Sequence, residues 1–106
     1  MQQLLITGGA CFIGSHSVAA AQQAGYRVRV LDDLSTGDRR NLPDGVELIV
    51  GDIADAAVAV QAVAGCHAVL HLAALVSVPQ SMAAPLATLR INTEGAAVLI
   101  EAARQA

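Results

Sequence analysis

Not one lysine occurs in the 106 residues; the cations are Arg27, Arg29, Arg39, Arg40, Arg90 and Arg104. Chemistry that needs a lysine amine on this chain is therefore excluded, whether as a Schiff base, a phosphate-loop lysine or a pKa-lowering partner. Tryptophan is absent too, and there is one Phe and one Tyr, so a core must be assembled from Ala, Val, Leu and Ile. The 55% apolar content is enough to supply it. No apolar run reaches the ~20 residues of a bilayer-spanning helix, and no basic segment with a cleavage site opens the chain. The sequence reads as soluble, untargeted and cytoplasmic, with no membrane role. The formal net charge is −3 and no basic stripe is visible, which argues against nucleic-acid binding. Two cysteines are too few for a disulfide framework and fit a reducing compartment. A chain of this length is one small domain, short for a complete two-domain enzyme.

What is present centres on Leu4-Leu5-Ile6-Thr7-Gly8-Gly9-Ala10-Cys11-Phe12-Ile13-Gly14-Ser15-His16. A short apolar run ends in a glycine-bearing turn, and a helix-compatible stretch follows. Such a strand feeding a helix N-terminus offers backbone N–H groups and the helix dipole to a pyrophosphate. In the dinucleotide fingerprint one glycine makes the turn, a second admits the phosphates and a third lets helix and strand pack closely. Gly8 and Gly14 supply the outer positions, and Cys11 stands in the middle one.

The remaining chain alternates strands and helices. Strands are expected at Gln3–Thr7, Arg27–Leu31, Val46–Val50 and Ala68–Ala73. Helices are expected at Ile13–Gln23, stopped by Gly25, at Ala54–Ala64 and from Pro85 to Ala103, with Leu34–Gly45 a loop carrying one short helical turn. That alternation predicts an α/β, doubly wound (Rossmann) domain in part, with about four parallel strands in order 3-2-1-4 and helices on both faces. Ligands in such sheets bind at the carboxyl ends of the strands. The Gly8–Gly14 turn, Asp32, Asp52 and the Ala73-Ala74 segment followed by Ser77 all fall there. Asp32 lies 18 residues past Gly14, near where an acidic residue accepts the adenosine ribose hydroxyls. A carboxylate there repels a 2′-phosphate and favours NAD over NADP; alternatively Asp32 and Asp33 cap the following turn. Asp52 reads equally as an N-cap of the next helix.

Together with Leu31-Asp32-Asp33-Leu34-Ser35-Thr36-Gly37, Gly51-Asp52-Ile53, His71-Leu72-Ala73-Ala74 and Asn92-Thr93-Glu94-Gly95, the glycine turn resembles that of the extended short-chain dehydrogenases/reductases. Within them the likeness is to the NAD-dependent nucleotide-sugar epimerases of the UDP-glucose 4-epimerase type. The resemblance implies NAD as cofactor. It places Gly8, Cys11, Phe12, Ile13 and Gly14 at the pyrophosphate, and Asp32, Asp33 and Ser35 at the adenosine ribose. Asp52 and Ile53 fall at the adenine, Leu72, Ala73 and Ala74 on the nicotinamide side, and Asn92 near the cofactor. The family's middle glycine is Cys11 here, and its catalytic Tyr-x-x-x-Lys with a neighbouring Ser/Thr has no counterpart. Residues 1–106 are accordingly expected to be the N-terminal part of a dinucleotide-binding domain, without a substrate domain and without catalytic residues. Because the family's sheet continues past Ala68–Ala73, a homodimer or swapped oligomer through that strand is expected.

Cys11 in the middle position weakens cofactor binding if the loop does not adjust. At a helix N-terminus it also reads as a reactive thiol, the alternative catalytic assignment. Cys11 and Cys66 lie at opposite ends of a strand of about 17 Å, too far apart to bridge. His67 and His71, at strand spacing, read as structural and make no metal site with Cys66. Arg39 and Arg40 read as solvated loop charges.

Overall fold

Alternating side chains dictate the architecture: along each central strand, neighbouring residues bury themselves in opposite layers. A computed structural model describes residues 2–35, 37–73 and 82–106. Its sheet contains β1 (Gln3–Thr7), β2 (Arg27–Asp32), β3 (Glu47–Val50) and β4 (Ala68–His71), all parallel, in order β3-β2-β1-β4. The expected order is therefore found. Thr7 stands opposite Leu31 on one side and His71 on the other, and Asp32 stands opposite Val50. The register thus brings the carboxyl ends of all four strands to one rim.

On one face Ile6, Val28 and Val30 are buried against Val18 of α1 (Phe12–Gln23). On the other, Leu5 and Leu31 meet Ala59, Ala62 and Val63 of α2 (Ala56–Val63), and Leu99 and Ala102 of α4 (Gly95–Gln105). Helix α1 ends at Ala24, and Gly25 follows at φ +95° with nothing near its Cα hydrogens, so backbone conformation alone favours glycine there. Arg29 locks the far end of α2. Its Nη1 donates to the Ala62 and Ala64 carbonyls at 2.8 and 2.7 Å, and its Nε to Glu47 at 3.0 Å.

Several expected boundaries move for local reasons. Helix α2 begins at Ala56 because Asp55 caps it, accepting the N–H of Ala57 at 3.0 Å. Asp52 is therefore not the N-cap. Strand β4 stops at His71, because the N–H groups of Leu72 and Ala73 turn back to Thr7. The single helix expected from Pro85 to Ala103 is α3 (Pro85–Leu89), a wider π-helical segment Arg90–Glu94, then α4. That segment begins at Arg90, which is ion-paired with Asp52, and ends where Gly95 meets Ile53. The short helical turn in the long loop is Arg39–Asn41. Ala74, Ser77 and Pro79 lie outside the described residues. No helix among the described residues is long and apolar enough to cross a membrane.

Candidate functional site

Strand β1 runs into Gly8, whose φ of +71° turns the chain and whose N–H donates to the Leu31 carbonyl at 2.8 Å. A Cβ on Gly8 would lie 2.9 Å from the Ala73 nitrogen, so the turn rests directly on the strand beside it. Cys11 then caps α1. Its Sγ accepts the Gly14 N–H at 3.3 Å and donates to the Gly8 carbonyl at 3.0 Å. A thiol here takes the place of the hydroxyl or carboxylate that usually caps a helix.

The turn is pinned from the β2 side through one peptide. Asp32, 8% exposed, accepts the Ala10 N–H at 3.0 Å, while the Ala10 carbonyl accepts Asn41 Nδ2 at 2.7 Å and the Asp38 N–H at 3.2 Å. The other Asp32 oxygen accepts the Leu34 N–H at 2.8 Å and holds Leu34 at φ +63°, a left-handed conformation that a leucine rarely adopts. Asp33 likewise accepts the Ser35 N–H at 2.9 Å. Turn capping by Asp32 and Asp33 is thus real, and each of their oxygens still has a lone pair to offer. Nearby, the Arg40 guanidinium bonded to Asp38 pulls that carboxyl down to about 2.

Between these elements lies an open cleft of about 490 Å³, including the solvent at its mouth. It is lined by Gly8, Cys11, Asp32, Asp33, Ser35, Ile53, Leu72 and Ala73 from the sequence-derived set. Leu31, Gly51 and Ile91 line it as well and were absent from that set. Nothing in the pattern distinguished Ile91 from an ordinary helix core residue, although it directly precedes Asn92. Among the described residues of that set, Phe12, Ile13, Gly14, Asp52 and Asn92 do not line the cleft. The side chains of Phe12 and Ile13 are 78% and 66% exposed, and Gly14 is buried beneath the turn. Asn92 sits in the π-helical segment. Asp52 binds the Ala54 N–H at 2.9 Å and Arg90. Burial alone would raise the Asp52 pKa, but those two partners outweigh it and hold the carboxyl below its ordinary value.

The remaining singled-out residues are accounted for elsewhere. Tyr26 precedes β2, at the end of the sheet opposite the cleft. His67 Nδ1 accepts the Gln3 N–H at 3.1 Å. Both cysteines are free, and burial pushes the Cys66 thiol up. His16 stacks edge-on against Phe12, ring centres 4.8 Å apart.

A parallel sheet in order 3-2-1-4, with a glycine turn and an acidic residue sharing its carboxyl rim, defines the doubly wound nucleotide-binding class. The family model for the NAD dependent epimerase/dehydratase family matches residues 4–106, and the chain belongs to that family. A UDP-glucose 4-epimerase from Azospirillum brasilense is 39% identical, over 98% of this chain and 30% of its own length. A dTDP-glucose 4,6-dehydratase from Mycobacterium tuberculosis is 38% identical, over 97% of this chain and 33% of its own. Among solved structures, the UDP-glucose 4-epimerase of Thermus thermophilus in complex with NAD superposes with a TM-score of 0.91 at 40% identity, over 98% of this chain and 34% of that one. The chain spans about a third of the length of these relatives.

Proposed function

We propose that these residues form the NAD-holding part of a nucleotide-sugar epimerase of the UDP-glucose 4-epimerase type. The observation that carries this reading is the cleft itself, in which the Gly8–Cys11 turn and the Asp32 carboxylate face a common space. The fit to a dinucleotide can be judged amide by amide. The first N–H groups of a helix have no partner inside it. In α1 the Gly14 N–H is taken by Cys11 Sγ, and the Ser15 N–H by the Cys11 carbonyl at 2.8 Å. The backbone amides of Phe12 and Ile13 remain as donors to a diphosphate, whatever their exposed side chains do. Asp32 would receive ribose hydroxyls on its spare lone pairs, with Asp33 and Ser35 beside it. Ile53 would flank the adenine, and Leu72 and Ala73 the nicotinamide side.

NAD, when bound, supplies a hydride acceptor that later returns the hydride. The 106 residues contain no lysine, and their one tyrosine stands away from the cleft, so this part holds the cofactor and catalyses no epimerisation by itself. Raised thermal stability with millimolar NAD is expected. The Cys11→Gly variant should bind about tenfold to a hundredfold more tightly, because a hydrogen bond to a charged group is worth roughly 1.5–3 kcal/mol and Gly14 regains its amide. No stabilisation of either chain by NAD would refute the proposal.

Self-association is a second proposal, favoured by the place of β4 at the edge of the sheet. Its outer backbone groups pair with no strand among the described residues, and Leu70 on it is 40% exposed. A dimer through β4 is expected in light scattering at high concentration; a clean monomer would refute it.

A further inference from the structure

Behind the Leu72–Ala73 wall of the cleft lies a hydrogen-bond network centred on Thr7, whose side chain is fully buried. Its Oγ1 accepts the Ala73 N–H at 3.2 Å and, at 3.0 Å, the Leu72 N–H, which is shared with the Thr7 carbonyl at 3.1 Å; it stands 2.7 Å from Nδ1 of His71. A hydroxyl has two lone pairs and one proton. With both lone pairs engaged by amides, the proton is left for His71. That arrangement favours Nδ1 as the bare acceptor, with the ring hydrogen on Nε2.

We infer that His71 is a proton-sensitive positioning residue of the candidate dinucleotide cleft. When neutral, it orients the Thr7 hydroxyl so that Leu72 and Ala73 stay bound against Gly8. When protonated, its new Nδ1–H competes with both amides for the same oxygen, and the wall loosens. The link to cofactor affinity rests on reading the cleft as the NAD site; the network itself does not.

The surroundings support a neutral ring. Burial holds the His71 pKa below its ordinary 6.5. Strand β1 carries no titratable residue, and His67 on the β4 side is bonded to Gln3 at the strand's other end. Around the shared rim, Asp32 is held by the Ala10 and Leu34 amides, Asp33 by that of Ser35, Cys11 by Gly8 and Gly14, and Arg90 by Asp52. No described charge is hydrogen-bonded or ion-paired to the imidazole. The sign follows. A His pKa depressed by folding contributes stability that is complete above the unfolded value near 6.5 and is lost as pH falls through the folded one.

Nitrogen-15 NMR of the labelled chain tests this without ligand. At about pH 8 the bare Nδ1, Nε2–H tautomer is expected for His71. On acidification through its titration, amide protection at Ala73 should be lost, and less so at Leu72, whose N–H keeps the Thr7 carbonyl as a partner. Protection at Leu5 and Ile6, deep in β1, should hold. In His71→Gln the side-chain carbonyl can accept the Thr7 proton but does not titrate, so protection there should be flat with pH. An Nδ1–H tautomer, or the same acid loss of protection in H71Q, would overturn the inference. The tautomer and protection readouts on the unaltered chain stand even if H71Q fails to fold. NAD titration adds a separate arm, in which affinity should weaken on the same midpoint. The opposite sign, affinity rising with acid, would overturn the role of His71 in affinity. A network behaving as expected with no NAD binding at any pH would sink the cofactor reading alone.

Discussion

Gly14→Ala is expected to lower the unfolding midpoint by about 10–20 °C and to abolish cofactor binding. A Cβ at that position would lie 2.1 Å from the Gly8 carbonyl oxygen and 2.7 Å from the Gly9 Cα. These are backbone atoms of the turn that feeds the helix, not the free end of a side chain that can swing aside. Moving them disturbs the 2.8 Å bond from Gly8 to Leu31 and both Cys11 bonds that close the helix start. Overpacking commonly costs roughly 1–3 kcal/mol, and a backbone collision belongs at or above the top of that range. In a domain of this size each kcal/mol moves the midpoint by about 4–8 °C. Circular dichroism melts of the two chains check it; a midpoint within about 3 °C of the parent would show that helix and turn can separate without loss.

Asp32→Ala is the second large effect. The carboxylate, 8% exposed, serves two amides from different segments, Ala10 at 3.0 Å and Leu34 at 2.8 Å. Each buried amide left without a partner costs about 1–3 kcal/mol, and Leu34 would lose what keeps it in a left-handed conformation. A loss of about 2–4 kcal/mol in urea unfolding is expected, with NAD affinity falling at least about a hundredfold. Asp32→Asn separates the two roles. Its remaining oxygen can serve one amide, so stability should recover in part while affinity, which depends on the carboxylate, should not. Unchanged stability in the alanine variant would mean that water replaces both bonds and that the loop is held elsewhere.

Much of this was legible because the strands are short apolar runs bounded by glycine and aspartate, and those boundaries fall at the ends where ligands bind. Gly8, Asp32, Ile53 and Ala73 share the cleft because a parallel register aligns strand ends that are far apart in sequence. The misread features depend on which donor a side chain reaches. Asp52 and Asp55 are alike on paper, yet only Asp55 faces the free amides of α2. The end of β4 is set by Thr7, a residue 64 positions before His71. The capping thiol of Cys11 was invisible because cysteine is not among the usual helix caps. The widened turn at Arg90–Glu94 has no local signal; its ends are fixed by contacts with Asp52 and Ile53.

The central place of β1 also bears on how the chain assembles as it leaves the ribosome. Its β2 side can zip as soon as the second strand emerges, since Gln3 and Arg27 are close in sequence. Its other side stays open until residues 68–71 have been made. Loop closure over that distance is slow, and a bare strand edge invites pairing with the wrong partner. The segment that shapes the cleft is thus made before both of its neighbours and is enclosed only when the second of them has emerged.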